Sequence, residues 1–269
     1  MMKNYVISLS TATDRREHIT QEFGKQGIDF EFFDAITPKD LVEQAEHLKL
    51  TQVLANTLLS DNEKACFFSH IAVMQKAINQ TSQQQKIPYS AFFEDDIYLG
   101  ENSQLFLQND ELFTHLSPQI SLLKLETFLQ HKKIDTKNRI LLADQRYAVP
   151  MQEYHLGMAG YMMSHDCIEQ FLTYVRQLPC EKIVPIDRLL FDDFMFNHVP
   201  AYQLVPALCI QDHIKNPENI RLISHLDDNR KAKLQHKPKR TAMQKIKGEL
   251  SNVYRKTLGK LQRQYIDFK

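Results

Sequence analysis

Residues 89–96 read Tyr-Ser-Ala-Phe-Phe-Glu-Asp-Asp, and this stretch decides the fold. The apolar run over 89–93 predicts a buried β-strand that leads directly into three consecutive carboxylates. Three adjacent acids repel one another, and their desolvation is costly unless a cation neutralises them. Ligands of open α/β sheets bind at the carboxyl ends of the strands. The stretch therefore predicts an α/β sheet with a cation site at its edge, and the alternative is an exposed acidic turn.

The residues nearer the N-terminus predict a βαβ unit. Tyr5–Leu9 is rich in β-forming residues and is followed by Thr and Asp, which indicates a buried first strand. A helix is expected from Asp14, because Asp14 and Glu17 have the spacing of a capping box. Residues 28–33 predict a second strand. Strand, helix and strand within about 30 residues are typical of a parallel sheet.

The rest of the first 229 residues continues this alternation. Ser60 and Glu63 have capping-box spacing ahead of apolar residues at helical intervals, which predicts another helix. Further strands are predicted over 120–125, 146–149, 158–163 and 202–205, and further helices over 166–176 and 187–197. No internal repeat or low-complexity linker interrupts residues 1–229.

The composition narrows the class of protein. With 43% hydrophobic and 25% charged residues, the 269-residue chain can form one large α/β domain or two small ones. The apolar N-terminal stretch is too short for a signal peptide, and no run approaches the roughly 18 apolar residues of a spanning helix. The sequence has seven glycines and no glycine-rich phosphate motif, so bound phosphate is expected to contact a metal ion and side chains. Four scattered cysteines predict free thiols and a cytoplasmic location.

The charge is distributed unevenly along the chain. Residues 230–269 carry 13 Lys and Arg against Glu249 and Asp267, whereas residues 1–229 carry 20 basic and 31 acidic side chains. Apolar residues recur in the C-terminal segment at roughly helical intervals, which predicts a basic amphipathic helix that binds an anionic membrane surface. A solvated tail is one alternative. A nucleic-acid-binding arm is another, against which the acidic body argues.

Two arginines and a histidine are candidate ligand-binding residues. Arg15 and Arg16 fall in the first turn of the predicted helix, where cations oppose the helix dipole. A bound anion would resolve that conflict, and the alternative is a pair of surface charges. His70 shares a helix face with Phe67 and Met74, so a buried structural histidine is its simpler interpretation.

Later in the chain, three aspartates and a second histidine are candidates for chemistry. Asp187 follows Pro185 at the start of an apolar helix, where a helix N-cap is the alternative interpretation. Asp192 and Asp193 follow on the same helix and are otherwise surface charges. His213 comes after the predicted strand 202–205 and is a candidate metal ligand, with a loop histidine as the alternative.

Taken in order, six segments resemble glycosyltransferase family 25, the bacterial lipooligosaccharide glycosyltransferases. The segments are Val6-Ile-Ser-Leu9 with Asp14-Arg-Arg16, Phe32-Phe-Asp-Ala-Ile36, Glu63-Lys-Ala-Cys-Phe-Phe-Ser-His70, Phe93-Glu-Asp-Asp96, Gly157-Met-Ala-Gly-Tyr161 and Pro185-Ile-Asp187. The resemblance covers residues 3–215. Ala65 departs from the pattern, since the family usually has Gly before this Cys, and the conservative change puts little in doubt.

The resemblance implies a GT-A-type, Rossmann-like α/β fold with a mixed, mostly parallel sheet, which we assign to a domain over 1–229. The basic helical tail over 230–269, predicted from its charge and apolar spacing, follows this domain. The resemblance also implies inverting transfer of a hexose from a nucleotide-sugar, in relatives often galactose from UDP-galactose in β-1,4 linkage. The expected acceptor is a lipid-linked lipooligosaccharide or lipopolysaccharide glycan, met at the cytoplasmic face of the inner membrane. UDP-glucose or a UDP-N-acetylhexosamine are alternative donors, and a metal-dependent phosphohydrolase is a rival function.

For such a reaction, the candidate residues identified above are expected to take the following roles. A divalent Mn²⁺ or Mg²⁺ ion is expected on Glu94 and Asp96, with His213 as a late ligand, because hard oxygen ligands suit these ions. Asp187 is the expected general base, with Asp192 or Asp193 in reserve. The expected donor-binding residues are Ser8, Leu9, Arg15, Arg16, Asp34, His70 and Asp95.

Overall fold

A computed structural model describes residues 2–80, 89–109, 112, 119–222 and 263–269. Most of the predicted basic helix, residues 230–262, lies outside the described residues. In the described part of the chain, no helix combines the length and the apolar character needed to cross a membrane. The four cysteines are free thiols, as the sequence predicts.

Strands and helices alternate along the described chain. The strands are β1 Lys3–Ser8, β2 Glu31–Asp34, β3 Tyr89–Glu94, β4 Ile97–Leu99, β5 Leu122–Lys124, β6 His131–Lys132, β7 Ile140–Leu141, β8 Tyr147–Pro150, β9 Gly160–Ser164, β10 Ala201–Val205, β11 Cys209–Gln211 and β12 Gln264–Tyr265. The helices are α1 Thr13–Gly24, α2 Leu41–His47, α3 Thr51–Ala55, α4 Asp61–Asn79, α5 Gln104–Leu107, α6 His165–Gln177, α7 Ile186–Arg188, α8 Met195–Asn197 and α9 Asp212–Lys215. A π-helical segment, Leu189–Phe194, joins α7 to α8.

One central sheet has the strand order β2-β1-β3-β9-β5-β10-β8-β7. β1 pairs in parallel with β2 and β3, and β5 pairs in parallel with β10, whereas β9 and β8 run against their neighbours. Six of the eight strands therefore point the same way, which confirms the mixed, mostly parallel sheet. The carboxyl ends of β1, β2 and β3 consequently meet at one edge.

The central strands are buried on both faces. On β3, Phe92 packs in the cluster that contains α4 and α6, whereas Phe93 packs in the opposite cluster with Phe23 of α1. Successive side chains of a strand point to opposite faces, so a strand covered on both sides needs apolar residues at every position. This explains the apolar residues Ala91, Phe92 and Phe93 that precede the acidic triplet.

The two predicted capping boxes have different outcomes. At α4 the box is present: the Ser60 backbone N–H donates to Glu63 Oε2 over 2.8 Å, and the Glu63 N–H donates to Ser60 Oγ over 3.3 Å. The box predicted at Asp14 and Glu17 is wrong, because α1 begins at Thr13 and Ala12, its N-cap residue, offers no side-chain acceptor.

The helix predicted over 230–269 does not extend to the C-terminus. Instead, Gln264 and Tyr265 form β12, which pairs antiparallel with β6. Ile266 is buried in a small cluster with Ile134 and Val149. The apolar spacing of these last residues therefore reflects docking of an extended segment onto the body rather than one face of a helix.

Candidate active site

A cavity of about 230 Å³ lies where β1 and β3 end, beside α4. The βα connection after β1, the segment after β2 and the acidic triplet form its wall. The predicted site residues that line it are Ser8, Leu9, Arg15, His70, Glu94, Asp95 and Asp96. The structure thus brings together side chains that are up to 88 positions apart in the sequence, at the edge where the strand directions predict a ligand site.

A second cavity of about 190 Å³ adjoins the first. Both are lined by Cys66, Glu94 and Asp96, so the acidic triplet lies at their junction. Asp187 and His213 line the second cavity and not the first, whereas Arg15 lines the first and not the second. Two separate binding spaces therefore meet at one cluster of carboxylates.

The acidic triplet is only partly neutralised by neighbouring groups. Arg15 Nη2 lies 2.7 Å from Asp95 Oδ1 and 3.1 Å from Asp96 Oδ2, and the Gln211 amide donates to Glu94 Oε2 over 3.1 Å. Burial, followed by the negative charge of Glu94, raises the pKa of Asp96 to about 7. Burial also raises the pKa of Asp95, although Arg15 opposes the change. The cluster accordingly favours further positive charge.

Arg16 and Asp34 form their contacts at the edge of the sheet and do not line the first cavity. Arg16 donates to the Ser8 carbonyl over 3.0 Å and to the Leu9 carbonyl over 3.1 Å, and it forms an ion pair with Asp34. Neither Arg16 nor Asp34 lines either cavity, and the Asp34 side chain is 72% exposed. The structure therefore brings only Arg15, of the two arginines, to the acidic triplet. The carbonyl oxygens at the end of β1 provide the negative partner that Arg16 needs.

The predicted metal ligands share one cavity without forming the tightest ligand cluster. Glu94, Asp96 and His213 all line the second cavity. Among the described residues, the group whose ligand atoms come within 4.8 Å of one another is instead Cys66, His70 and Glu94. His70 is buried, as the interpretation of a structural histidine predicts. It also faces a carboxylate, since its Nε2 lies 3.7 Å from Glu94 Oε1.

Asp187 is held in the second cavity by two hydrogen bonds to the same oxygen. The Tyr154 hydroxyl and the Gly157 backbone N–H, the latter over 3.2 Å, both donate to Asp187 Oδ2. Burial and the charge of Asp187 raise the pKa of Tyr154, so the phenol stays protonated and remains a donor. The N-cap interpretation of Asp187 is wrong, because Pro185 is the cap residue of α7 and Asp187 lies inside the helix.

The two reserve aspartates lie outside both cavities. Asp192 forms an ion pair with Arg188 at 3.4 Å, and Asp193 accepts hydrogen bonds from Tyr174 and Asn197. Neither residue lines the first or the second cavity. Of the three aspartates considered from the sequence, the geometry therefore favours Asp187 as a proton acceptor.

Sequence reasoning missed the ion pair that supports Asp187. Lys124 and Glu126 are both fully buried, and Lys124 Nζ lies 2.6 Å from Glu126 Oε1 and 2.6 Å from the Gly157 carbonyl. The Ala159 N–H donates to the same Glu126 oxygen over 2.9 Å. The pair thereby fixes the segment that presents the Gly157 N–H to Asp187. In the sequence, a Lys and a Glu two positions apart resemble an ordinary exposed pair, and nothing marks them as buried.

Comparison with known proteins identifies the family. A family model described as glycosyltransferase family 25 (LPS biosynthesis protein) matches residues 1–190. The chain belongs to glycosyltransferase family 25. Membership makes it a glycosyltransferase, an enzyme that acts on a sugar donor and a glycan acceptor, and the cavity pair described above lies within the matched residues except for Gln211 and His213.

Relatives of this family 25 enzyme match nearly the whole chain. The lipooligosaccharide biosynthesis protein lic2B of Haemophilus influenzae is 36% identical over 96% of this chain and 95% of its own length. The lacto-N-neotetraose biosynthesis glycosyltransferase LgtE of Neisseria gonorrhoeae is 34% identical over 98% of this chain and 94% of its own length. Among solved structures, a glycosyltransferase involved in glycosylation of the major capsid of PBCV-1 aligns over 78% of this chain and 93% of its own, with a TM-score of 0.41 and 10% identity.

Proposed function

We propose that this family 25 enzyme is an inverting, metal-dependent hexosyltransferase with a GT-A-type fold, which transfers galactose from UDP-galactose in β-1,4 linkage to a lipooligosaccharide acceptor. One observation carries the proposal: two cavities share Glu94 and Asp96, and Arg15 lines one of them while Asp187 lines the other. An inverting transfer fits this arrangement, because the acceptor hydroxyl attacks the anomeric carbon of the donor on the face opposite the departing diphosphate. UDP-glucose and UDP-N-acetylhexosamines remain alternative donors.

The first cavity suits the donor. It opens at the carboxyl ends of β1 and β3, where nucleotides bind in open α/β sheets. Arg15 supplies a cation that can contact a diphosphate, and Ser8 and Leu9 bring the end of β1 to the same wall. Its volume of about 230 Å³ fits part of a nucleotide-sugar, with the sugar directed toward the acidic junction.

Glu94 and Asp96 fit the requirements of a divalent cation. Their carboxylates are hard oxygen ligands, and burial together with the negative charge of Glu94 raises the pKa of Asp96 to about 7. Gln211 donates hydrogen bonds to both acids, and bonds from the two carboxylates to the ion would replace these hydrogen bonds. When bound there, Mn²⁺ or Mg²⁺ supplies Lewis-acid stabilisation of the negative charge on the leaving diphosphate.

Asp187 suits the role of general base toward the acceptor hydroxyl. Both of its described hydrogen bonds go to Oδ2, so Oδ1 is the oxygen available to accept a proton from the acceptor. A positioned base typically contributes ~10²–10⁴-fold to the rate. The second cavity, lined by Phe128 and Leu156, offers an apolar surface on which a sugar ring can pack.

The acceptor and the location are inferred from the relatives and from charge. The relatives are named for lipooligosaccharide and lacto-N-neotetraose biosynthesis, which supports a lipid-linked surface glycan as the acceptor. The basic residues of 230–269 support attachment to the anionic cytoplasmic face of the inner membrane, where such an acceptor is available. No nucleic-acid partner is proposed.

The test measures acceptor-dependent release of UDP by the full-length protein from UDP-galactose, UDP-glucose and UDP-N-acetylhexosamines, with and without EDTA. We expect UDP-galactose to be preferred and EDTA to abolish turnover. Asp187→Asn should lower kcat by ~10²–10⁴-fold, whereas Asp192→Asn should retain activity because Asp192 lies outside both cavities. Release of sugar or phosphate without acceptor would identify a phosphohydrolase, and turnover unaffected by EDTA would remove the metal from the proposal.

A further inference from the structure

Three side chains of different chemistry converge at the junction of the two cavities. Cys66 and His70 lie one turn apart on α4, so they share a helix face, and both face Glu94 at the end of β3. One ligand atom from each of the three residues lies within 4.8 Å of the other two. In a tetrahedral zinc centre with bonds of about 2.0–2.3 Å, neighbouring ligand atoms lie roughly 3.3–3.8 Å apart. The 3.7 Å between His70 Nε2 and Glu94 Oε1 lies at the upper end of this range, so a small side-chain movement would suffice for both to bind one ion.

We propose that Cys66, His70 and Glu94 form a binding site for a zinc-type transition-metal ion. Thiolate and imidazole ligands select Zn²⁺ and related ions, whereas Mg²⁺ and Mn²⁺ prefer oxygen ligands. On binding, the Cys66 thiol releases its proton to solvent, and its sulfur forms the third bond to the ion. Three protein ligands leave the fourth position open for water or substrate.

The imidazole is already oriented for this role. A hydrogen bond of 2.9 Å joins His70 Nδ1 to the Tyr161 hydroxyl, and both side chains are buried. Metal-bound histidines typically have their second ring nitrogen held by such a partner, which fixes the ring direction. Here the contact through Nδ1 directs Nε2 toward Glu94.

The site is also accessible to an ion from the cavities, and it lies among negatively charged side chains. Cys66 and Glu94 line both cavities, so an ion reaches them without unfolding of the chain. Glu94 is one of three consecutive carboxylates, and Asp96 lines both cavities with it. A dication bound to Glu94 therefore relieves a repulsion already present in the cluster.

The proposed site shares Glu94 with the oxygen-ligand site, and this has a functional consequence that rests on the proposed function. An ion held by Cys66 and His70 withdraws the Glu94 carboxylate from the ion that assists the donor. Zn²⁺ should therefore inhibit sugar transfer supported by Mg²⁺ or Mn²⁺, and raising the Mg²⁺ concentration should only partly restore it, because Mg²⁺ has no affinity for the thiolate.

The direct test is a titration of the metal-free, full-length protein with Co²⁺, which replaces Zn²⁺ and gives a visible spectrum. We expect a near-ultraviolet thiolate-to-cobalt charge-transfer band with a stoichiometry of one, and its displacement by Zn²⁺. Cys66→Ser should abolish the band, and His70→Gln should weaken Co²⁺ binding by at least tenfold. Cys180→Ser is the matched control, since Cys180 is also partly exposed but lies outside both cavities, and it should leave the spectrum unchanged.

The outcomes separate this site from the proposed function. Absence of the charge-transfer band, or its persistence in Cys66→Ser, overturns the site even if sugar transfer proceeds normally. A Cys66-dependent band in a protein that transfers no sugar supports the site and contradicts the proposed function instead. Circular dichroism of each variant shows whether it is folded, and Zn²⁺ displacement in His70→Gln gives a second measurement if Cys66→Ser is unstable.

Discussion

At position 157 the backbone adopts φ +87°, a conformation that residues with a Cβ rarely accept. A Cβ on Gly157 would also lie 2.7 Å from the Phe128 ring. Gly157→Ala should therefore move the N–H that donates to Asp187 and destabilise the fold by about 1–3 kcal/mol. We expect kcat to fall at least tenfold, measured together with the free energy of unfolding in denaturant.

Gly27→Ala is the matched control for this change. Gly27 also has a positive φ, +63°, but no atom lies within 4 Å of the position that a Cβ would take, and the residue is exposed and outside both cavities. It should share the backbone strain without the loss of kcat. An equal loss of kcat in both variants would show that strain alone, and not the Asp187 contact, explains the effect.

Tyr154 is a positioning residue for Asp187. Tyr154→Phe removes the hydroxyl that donates to Asp187 Oδ2 and leaves the ring in place. Loss of a hydrogen bond to a charged group costs ~1.5–3 kcal/mol, so kcat should fall roughly 10–100-fold while the KM of the donor stays nearly constant. Tyr174→Phe removes the same kind of phenol–carboxylate bond at Asp193, outside the cavities, and should leave kcat unchanged.

Residue types were easier to predict from the sequence than side-chain directions. The sequence correctly indicated that the carboxylates of residues 94–96 gather at a sheet edge with Arg15, because strand direction and charge are local properties. The sequence also predicted that the adjacent Arg16 would lie at the ligand site. Neighbouring side chains on a helix point about 100° apart, so the two arginines do not face the same way. Nothing in the sequence indicated the Lys124–Glu126 pair, since burial of that pair depends on β9 and β10 covering β5.

At the scale of single elements, α4 carries both Cys66 and His70 and begins at a capping box. Ser60→Ala removes the acceptor for the Glu63 N–H, so it should lower the free energy of unfolding by about 1 kcal/mol. Ser60→Asp keeps a side-chain acceptor at the N-cap and should restore most of this loss. Thermal unfolding monitored by circular dichroism checks both values, and equal stability of the Ala variant and the parent protein would refute the cap's contribution.

Elements with strong local signals were predicted well, and long-range pairing was not. The apolar run of β3 and the cap of α4 placed those elements close to their observed bounds. The insertion of β9 between β3 and β5 has no local signal, because it depends on which strands the connecting helices bring together. The residues of β12 were predicted to be helical. In so short a segment, apolar residues a few positions apart fit the period of a helix as well as that of a strand.

At the scale of the whole molecule, the C-terminal segment returns to the body. The Thr127 hydroxyl donates to the Ile266 carbonyl, and the Ala207 N–H donates to the Asp267 carbonyl over 2.7 Å. Arg263 forms an ion pair with Glu153. Membrane attachment by basic residues of 230–262 is therefore better tested by charge reversal than by truncation, because truncation would also remove the docked residues 263–269.

Docking of the C-terminal segment should contribute to the stability of the protein through its buried side chain. Ile266 is 2% exposed, so Ile266→Ala should lower the free energy of unfolding by about 2 kcal/mol. Tyr265, the preceding residue, is 40% exposed, and Tyr265→Ala should cost less than about 0.5–1 kcal/mol. Denaturant unfolding measures both. A negligible effect of Ile266→Ala would mean that the last strand adds no stability to the body.

His155 makes one identifiable contribution to the dependence of global stability on pH, opposite in sign to that of the buried carboxyl of Asp96, whose pKa is raised to about 7. Burial lowers the pKa of His155 to about 3, while its Nδ1 remains hydrogen-bonded to Gln203 Oε1 at 2.9 Å. The unfolded chain, in which the pKa of histidine is about 6.5, therefore binds the proton more tightly than the folded protein. The stabilisation is complete above about pH 6.5 and is lost progressively as the pH falls toward 3, by about 1.4 kcal/mol near pH 5.5.

His155→Gln keeps an amide near Gln203 but cannot titrate, so as the pH falls from 6.5 to 4 the difference in free energy of unfolding should shift in favour of the variant over the parent protein. His47→Gln, at an exposed position on α2, should leave the slope unchanged. Denaturant unfolding at several pH values compares the slopes, which are independent of any constant loss of stability that the substitution causes. Equal slopes for His155→Gln and the parent protein would show that protonation of another buried group governs unfolding in acid.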